Sequence, residues 1–437
     1  MPEIVRRAVD EAEAALRFDF PAHARYEVLQ RAAALVEARQ EDYAWSIARE
    51  GSKTIREARR EPSRAANILR LSAEEGRRIA GETLPFDSRK GSENRVGYYM
   101  RVPAGVIGAI APFNDPLAVA AHKIGPALAA GNAIVYKSSP LSRAAPEMLG
   151  RDLMEAGLPA GRLSVVDGGD EAGEALVRDA RVRVLSFTGG VATGERIAAA
   201  AGIKKLLLEL GSNSPVIVLA DADLPRAVSA VCDGAFAQAG QNCLGVQRVF
   251  VEDSVYREFA TSLANAAGRL RVGSALDEST DVCGLITEAQ AVRVERWVRE
   301  AVESGARVLT GGRRDDALYW PTVLEGVPAG AKLDCEEVYG PVVSLYSVRT
   351  LDEAIERANA VRFGLHAAIF TESLNNAFRA IRELRAGAVI VNDSTDYRLD
   401  VMPFGGVKSS GIGREGIRFA IEEMTEIKVV CLNLRHS

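Results

Sequence analysis

The chain of 437 residues lacks several features that define whole classes of protein. Its five cysteines are widely spaced and include no CxxC pair, which argues against a disulfide framework or a zinc site and fits a reducing cytoplasm. It has no apolar run of about eighteen residues and no apolar core of a secretory signal, so we expect no membrane span. With 54 Lys and Arg against 59 Asp and Glu, it also lacks the basic excess that binding to nucleic-acid backbones requires. We therefore predict a cytoplasmic protein without a membrane partner, a nucleic-acid partner or a metal.

Short apolar runs alternate with helical patterns through most of the chain. Residues 1–80 have the spacing and composition of helices. Apolar runs follow at 106–111, 133–136, 163–166 and 182–187, and a second alternating series extends from 214 to about 371, with a last run at 388–391. This alternation predicts βαβ units and parallel sheets covered on both faces. The stretch 81–102 is more polar and suits an exposed strand or hairpin.

One segment of the helical region is rich in charge of both signs. Opposite charges one turn apart are typical of a solvated helix face, so we predict that this segment is solvent-exposed. The residues concerned are Arg56, Glu57, Arg59, Arg60, Glu61 and Arg64.

Three polar residues near the ends of apolar runs have functional groups suited to catalysis. Cys243, flanked by polar and glycine residues, is either a nucleophile or a small buried side chain. Glu209 ends an apolar run and is either a general base with a raised pKa, a surface turn residue or half of an ion pair. Asn114 is either the donor of an oxyanion hole or the start of an Asx turn.

Two further features follow strands. Residues 189–194 form a glycine-containing turn that opens a helix, which suits a pyrophosphate site although the pattern is not GxGxxG. Lys137 ends another strand and either reaches a phosphate or ribose hydroxyl or is a plain surface lysine.

In their order and spacing, short blocks along essentially the whole chain resemble the aldehyde dehydrogenase superfamily. The matching blocks are residues 111–114 (APFN), 131–137 (GNAIVYK), 187–190 (FTGG), 208–211 (LELG), 240–243 (GQNC), 336–341 (EEVYGP) and 403–408 (PFGGVK).

The resemblance implies an α/β fold with two Rossmann-like parallel-sheet lobes and a small β oligomerisation arm. A cofactor-binding domain would comprise residues 1–84 and 104–211, and a catalytic domain residues 212–423. The arm and a C-terminal strand would comprise residues 85–103 and 424–437, and a homodimer or homotetramer is expected.

The resemblance also implies a reaction. Cys243 corresponds to the nucleophile, Glu209 to the general base and Asn114 to the oxyanion donor, so the chain should oxidise an aldehyde to a carboxylic acid through a hydrolysed thioester. The presence of Glu209 disfavours a CoA-acylating relative, which commonly lacks this carboxylate. Retention of all three residues argues against a non-catalytic binding or structural protein on the same fold.

The cofactor implied is NAD or NADP. Pro140 stands where NAD-preferring members often have a glutamate, so NADP is permitted and NAD is not excluded. The implied cofactor-binding residues are Pro112, Phe113, Lys137, Ser139, Phe187, Gly189, Gly190, Gly194, Leu210, Glu337 and Tyr339.

The implied substrate is a small polar aldehyde, and whether it is anionic stays open. Arg398 and His122 would anchor an anion, but Arg398 would equally well pair only with Asp396 or Asp400. The full predicted substrate-binding set is Asp115, His122, Asn242, Thr395, Tyr397, Arg398 and Phe404.

Overall fold

A computed structural model describes residues 2–51 and 53–434 of the chain. The first part is helical, as predicted, and its apolar faces pack together and against the first lobe. Thr54 and Glu57 form a capping box that starts the short fourth helix. The helices are α1 (Glu3–Ala15), α2 (Ala22–Ala38), α3 (Gln40–Glu50), α4 (Ile55–Ala58) and α5 (Arg60–Gly76).

A three-stranded antiparallel sheet forms the arm. It consists of β1 (Glu82–Leu84), β2 (Arg95–Pro103) and, from the far end of the chain, a last strand at Thr425–Asn433 that pairs with β2 along its whole length. The last strand forms an edge of this sheet, and several of its apolar side chains are exposed.

The first lobe is a six-stranded sheet, order β17-β7-β6-β3-β4-β5, with helices on its faces. Strands β3 to β7 are parallel, and only the short β17 runs antiparallel at the edge. Its elements are β3 (Val106–Ile110), α6 (Pro116–Ala129), β4 (Ala133–Lys137), α7 (Ala144–Glu155), β5 (Leu163–Val166), α8 (Asp170–Arg178), β6 (Val182–Gly189), α9 (Val191–Ala200), β7 (Lys205–Leu210) and β17 (Gly411–Ile412).

The second lobe is a seven-stranded sheet, order β10-β13-β14-β9-β8-β15-β16, parallel except for β10. Its strands are β8 (Ser214–Val218), β9 (Val246–Glu252), β10 (Arg307–Thr310), β13 (Thr322–Glu325), β14 (Val342–Val348), β15 (His366–Phe370) and β16 (Ala388–Val391), with a small hairpin of β11 (Arg314–Asp315) and β12 (Leu318–Tyr319). Its helices are α10 (Leu224–Phe236), α11 (Asp253–Gly268), α12 (Glu288–Glu303), α13 (Lys332–Cys335), α14 (Leu351–Asn359) and α15 (Leu374–Glu383).

The end of the chain returns from the second lobe to the first. β17 pairs with β7, and Gly411 lies opposite Glu209. The chain then continues through α16 (Ile417–Glu423) into the final strand, β18 (Thr425–Asn433). This return brings residues of the C-terminal segment to the edge of β7. Within the described residues, no helix is long and apolar enough to cross a membrane.

Candidate active site

A cavity of about 260 Å³ lies where segments from both lobes meet. Its walls come from the loop after β3, the ends of β6 and β7, the loop before β9, the loop after α13 and the C-terminal segment. The carboxyl ends of parallel strands are where ligands bind in open α/β sheets, as the sequence led us to expect. Of the predicted site residues, the cavity is lined by Pro112, Phe113, Asn114, Asp115, His122, Gly189, Gly190, Glu209, Leu210, Cys243, Glu337, Tyr339, Arg398 and Phe404.

Cys243 is held in the cavity wall by a loop with unusual backbone geometry. Gln238, Ala239 and Gly240 have φ values of 55°, 53° and 69°, a left-handed conformation that is costly for the two non-glycine residues. A side chain at Gly240 would collide with the carbonyl oxygen of Gly340, so only glycine fits there. Side-chain contacts hold the turn: the Gln238 N–H donates to the Glu57 carboxylate at 2.7 Å, across to the helical region.

Two predicted substrate residues instead hold this loop. Asn242 accepts a hydrogen bond from the Leu244 N–H at 3.0 Å, and the Thr395 hydroxyl donates to the Leu244 carbonyl at 2.6 Å. Thr395 is fully buried. Neither residue lines the cavity, and neither does Tyr397, whose side chain is largely exposed.

Glu209 lies near the end of β7 and is buried, with one carboxylate oxygen lacking any partner among the described residues. Burial and, after it, the nearby negative charge of Glu415 together raise the pKa of this carboxyl to about 8. A carboxyl with such a pKa exchanges protons near neutral pH, as a general base must.

The thiol of Cys243 lines the cavity in its protonated form. Burial, followed by the negative charge of Glu209, raises the pKa of this thiol well above its ordinary value, while Arg398 opposes the shift. A thiol is a weak nucleophile that a neighbouring base could activate, and Glu209, which hydrogen-bonds the thiol, is placed where such a base would be.

Asn114 completes what we call the thiol end of the cavity, defined by Cys243, Glu209 and Asn114. It follows β3 and precedes α6, and its side chain is only 3% exposed. Its amide oxygen is buried without a partner among the described residues, and Asn114 lines the same cavity as Cys243. An amide held in this way can donate to an oxyanion that forms on a bound carbonyl.

The side of the cavity toward β6 and β7 carries the groups predicted for a nicotinamide ribose. Glu337 accepts the Ser212 N–H at 2.9 Å, and burial raises the pKa of its carboxyl to about 7. Tyr339, with a φ of 44°, meets Phe113 edge-on with ring centroids 6.1 Å apart.

A second cavity, of about 430 Å³, lies between α8 and α9 and contains Lys137. One wall is apolar, with Ile110, Val177 and Ile197, which suits the face of an adenine, and Lys137 and Asp170 are close enough to contact a ribose or phosphate. Burial lowers the pKa of Lys137, although nearby carboxylates oppose the shift.

The start of α9 separates the two cavities and fits a pyrophosphate. Gly190 is the N-cap of this helix, no side chain caps the helix, and a Cβ at Gly190 would meet open space. The hydroxyl of Thr188, which lines the first cavity, is buried without a partner in the described part of the chain. Free N–H groups at a helix N-terminus favour an anion, so these residues fit a dinucleotide that spans both cavities.

Three predicted cofactor residues line neither cavity. Gly194 lets α9 approach β7, because a side chain there would collide with Leu210. Phe187 is buried and packs beside Gly189. Ser139 accepts the Leu141 N–H at 3.2 Å in an exposed turn.

A second group of cavity-lining residues, which we call the arginine end, is defined by Arg64, His122 and Arg398. Arg64 donates to Asp400 at 2.9 Å, and His122 lies 3.0 Å from the same carboxylate. Burial lowers the pKa of His122 to about 4, with help from Arg398, so the imidazole is neutral at neutral pH.

Arg398 stacks on Phe404, with its guanidinium carbon 3.6 Å from the ring centroid. One terminal nitrogen, Nη2, lies 3.4 Å from Nε2 of His122 and 3.6 Å from a carboxylate oxygen of Glu415, and the Nε is buried without a partner among the described residues. It makes no ion pair with Asp396 or Asp400 within that part of the chain, so the alternative of a purely local pair is not what the structure shows.

Sequence reasoning missed Arg64 and Glu61. Both were predicted on a solvated helix face, and that prediction is wrong: Arg64 lines the cavity, and Glu61 is buried. Glu61 accepts the N–H groups of Leu117 and Ala118 at the start of α6, at 2.8 and 2.9 Å, and binds Lys53 at 2.6 Å. Mixed charges one turn apart look the same whether they face water or a buried partner on another helix, so the sequence held no signal for this.

Comparison with known proteins agrees with this geometry. A profile of the Aldehyde dehydrogenase family matches residues 2–430. The chain is 46% identical over 431 residues to the 3-sulfolactaldehyde dehydrogenase of Priestia aryabhattai, covering 98% of this chain and 90% of that protein. It is 47% identical over 414 residues to the aspartate-semialdehyde dehydrogenase 1 of Pseudomonas canavaninivorans, covering 95% and 88%.

Among solved structures, the glyceraldehyde-3-phosphate dehydrogenase of Methanocaldococcus jannaschii, complexed with NADP, superposes with a TM-score of 0.94 at 38% identity, covering 98% of this chain and 94% of that one. The two-lobed α/β fold predicted from the sequence is thereby confirmed. The chain belongs to the aldehyde dehydrogenase family and is an NAD(P)-dependent oxidoreductase that oxidises an aldehyde without transfer to CoA.

Proposed function

We propose that the chain oxidises a small anionic aldehyde to its carboxylic acid, with Cys243 as nucleophile and Glu209 as base. The observation that carries the proposal is that one cavity contains both the thiol end and the arginine end, where the Nε of Arg398 is buried without a partner among the described residues.

The first step joins Cys243 to the aldehyde. Glu209 takes the thiol proton, the sulfur adds to the carbonyl carbon, and the carbonyl oxygen becomes an oxyanion. The amide of Asn114 and the backbone N–H of Cys243 donate to that oxyanion, a contribution worth about 3 kcal/mol per donor in comparable sites.

Lys137, the start of α9 and Glu337 would hold the dinucleotide, and Tyr339 and Phe113 would border its nicotinamide. When bound, the nicotinamide accepts the hydride that leaves the substrate carbon. That carbon is then a thioester on Cys243.

Glu209 acts again in the last step. Once it has released the thiol proton to solvent, it removes a proton from water and the hydroxide attacks the thioester. The carboxylic acid leaves as the sulfur of Cys243 regains a proton from Glu209. A carboxyl with a pKa near 8 suits both proton transfers.

At the arginine end, we expect unused N–H donors, rather than a net positive charge, to bind the anionic group of the substrate. A guanidinium has five N–H donors, and the described contacts of Arg64 and Arg398 use only some of them. The compounds named for the relatives, 3-sulfolactaldehyde and aspartate semialdehyde, both carry an acidic group beyond the aldehyde. Neutral His122 can donate or accept beside them.

The test compares a matched pair of aldehydes, 3-sulfopropanal and propanal. We expect Arg398→Gln to lower kcat/KM for the anionic aldehyde by about 10- to 100-fold, the range for a lost hydrogen bond to a charged group, and to change the neutral one little. Arg59→Gln is the control, because Arg59 lies five residues before Arg64 but pairs with Glu41 and Glu278 at the surface. Equal losses for both aldehydes in Arg398→Gln and Arg64→Gln would refute the anion site.

Cys243→Ala tests the chemistry itself. We expect it to abolish turnover with every aldehyde while leaving dinucleotide binding intact, as measured by quenching of protein fluorescence. Undiminished dehydrogenase activity in this variant would refute the mechanism.

We further propose that the chain forms a homodimer or homotetramer through the arm. Apolar side chains of β2 and β18, among them Val96, Met100, Ile427 and Val429, are more than a third exposed, and β18 is an unpaired edge in the described chain. Exposed apolar strand edges are normally covered. Val429→Lys should reduce the mass seen by light scattering, and an unchanged mass would contradict the proposal.

A further inference from the structure

Glu337 lies in a segment without regular secondary structure, residues 336–341, between α13 and β14. It lines the cavity that contains Cys243, and one oxygen of its carboxylate accepts the Ser212 N–H at 2.9 Å. A side chain at Gly211 would collide with the same carboxylate, which therefore lies directly against the linker between the two lobes. A carboxylate on an irregular segment keeps one position only if the backbone that carries it is fixed.

The peptide groups on both sides of Glu337 are held by buried side-chain amides. Asn213 donates to the carbonyl oxygen of Glu336 at 2.8 Å, on the N-terminal side. Gln247 accepts the Val338 N–H at 2.8 Å, on the C-terminal side. Asn213 is 1% exposed and Gln247 5%, so water does not compete for these bonds. With both neighbouring peptide groups fixed, the φ and ψ angles of Glu337 are fixed as well.

Arg248 fixes the side chain of Asn213 in turn. Its Nε donates to the amide oxygen of Asn213 at 2.6 Å, which leaves the amide nitrogen directed at Glu336. Its other nitrogens donate to the carbonyl oxygens of Arg357 and Ala358 at 3.0 and 3.1 Å. Arg248 is 2% exposed, and its hydrogen-bond partners among the described residues are amide and carbonyl oxygens, without a carboxylate. Burying a guanidinium without a counterion is costly, so stability alone does not account for this arrangement.

The strand that carries Gln247 and Arg248 also follows the nucleophile. Cys243 lies three residues before the start of β9, and Gln247 is the second residue of that strand. Gln247 also donates to the Ser212 carbonyl at 3.0 Å, so it bridges the linker and the segment of Glu337. β9 therefore fixes the position of Glu337 relative to the linker and to the loop of Cys243.

We propose that Gln247 and Asn213 are positioning residues for Glu337. They hold its carboxylate where it accepts the hydroxyl groups of the nicotinamide ribose, so that no rearrangement is needed when the dinucleotide binds. Neither side chain lines the cavity of Cys243 or that of Lys137, so both act through Glu337. An acceptor that is already in place binds more tightly, because less conformational freedom is lost on binding. The proposal deepens the proposed function and rests on it for the role of Glu337.

The first experiment measures dinucleotide binding in Gln247→Met. Methionine keeps the length of glutamine and removes the hydrogen bonds to Ser212 and Val338. The probe is NADH or NADPH, whichever the wild type binds more tightly, and its dissociation constant is read from quenching of protein fluorescence without aldehyde. We expect this constant to rise by about 3- to 10-fold, the range for a hydrogen bond between uncharged groups. An unchanged constant overturns the proposal.

A double-mutant cycle with Glu337→Ala separates positioning from a general effect on the fold. Glu337→Ala should itself raise the dissociation constant by about 10- to 100-fold, the range for hydrogen bonds to a charged group. If Gln247 acts through Glu337, adding Gln247→Met to Glu337→Ala should change the constant no further. A further rise equal to that of the single variant would show that Gln247 supports only the fold, and would overturn the proposal.

The cycle also keeps two failures apart. If Glu337→Ala leaves the dissociation constant unchanged, Glu337 does not bind the ribose, and that part of the proposed function fails together with this inference. If Glu337→Ala raises the constant and Gln247→Met does not, only this inference fails. The tests with Cys243→Ala and Arg398→Gln are independent of both results.

Thr371→Val is the matched control. Its hydroxyl donates to the carboxylate of Asp221 at 2.8 and 2.9 Å in the same lobe, and Thr371 is 2% exposed, so this variant also loses a buried hydrogen bond. Its dissociation constant should stay at the wild-type value. A rise like that of Gln247→Met would show that any loss of stability in this lobe weakens binding, which would overturn the proposal.

Asn213→Asp provides a second test should Gln247→Met not fold. Aspartate keeps the bond from Arg248, to which it adds a counterion, and loses the donor to the carbonyl of Glu336. The variant should therefore fold and should raise the dissociation constant several-fold. An unchanged constant in Asn213→Asp overturns the proposal as well.

Discussion

The two ends of the central cavity differ in whether their ionisable groups have partners of opposite charge. At the thiol end, Glu209 is buried and Cys243 is partly buried. Neither has a cationic partner in hydrogen-bonding contact among the described residues, and the pKa of each is raised. At the arginine end, charges come in pairs, and Lys123 and Arg398 lower the pKa of Glu415 to about 2 despite its burial.

The difference follows from what each end must do. A group that passes a proton must exist in both protonation states near neutral pH, so it lies where the charged form is costly. A group that anchors a ligand must keep its charge, so it lies beside an opposite charge. Glu415 is a group that keeps its charge, and its negative charge raises the pKa of Glu209, the group that passes a proton.

The largest effect is expected from removing the base. Glu209→Gln should lower kcat by about 10²- to 10⁴-fold, the usual contribution of general base catalysis. In the wild type, kcat should rise as the pH rises through about 8, because only the ionised carboxyl accepts protons and its pKa is raised to about 8. That rise should be absent in the variant, and mass spectrometry should show the acyl group retained on Cys243.

The matched control for this prediction is Glu422→Gln, a surface carboxylate paired with Arg418, which should keep the wild-type profile. If kcat of Glu209→Gln still rose near pH 8, the base would be another group. The proposed difference between the thiol end and the arginine end would then be wrong.

A smaller effect tests whether the charge of Glu415 changes the pKa of Glu209. Glu415→Gln removes a negative charge near Glu209 and leaves the positive Lys123, so the pKa of Glu209 should fall. The rising limb of kcat against pH should therefore move to lower pH, with the plateau reached earlier. A limb that stays near pH 8 would show that burial alone sets this pKa.

The smallest effect concerns the support of the thiol end. Thr395→Val removes the hydroxyl that donates to the Leu244 carbonyl and should cost about 1 kcal/mol of unfolding free energy, measured with denaturant. Since Thr395 does not line the cavity, KM should change alike for anionic and neutral aldehydes. A change in KM for only the anionic or only the neutral aldehydes would indicate that Thr395 contacts the substrate after all.

The sequence indicated the type of reaction more clearly than it indicated the residues that contact the substrate. Glu209 lies at the end of an apolar run, Asn114 follows one and Cys243 lies in a polar loop, and their order along the chain pointed to one reaction. Asn242 and Thr395 lie in equally suggestive places but turn their side chains to the Leu244 backbone. The direction of a side chain in a loop depends on distant packing, which local sequence does not encode.

By itself, the sequence determined the alternation of strands and helices, because apolar periodicity records which faces are buried. It also predicted the reacting groups, because a thiol, a carboxylate and an amide have few substitutes for this chemistry. Only the tertiary structure decided the state and the surroundings of the charges. Arg64 became part of the cavity, Lys53 the partner of Asp115, and Glu415 the neighbour of Glu209 through contacts between residues far apart in the chain. The energy of a charge depends on burial and on the charges beside it, and both are properties of the folded molecule.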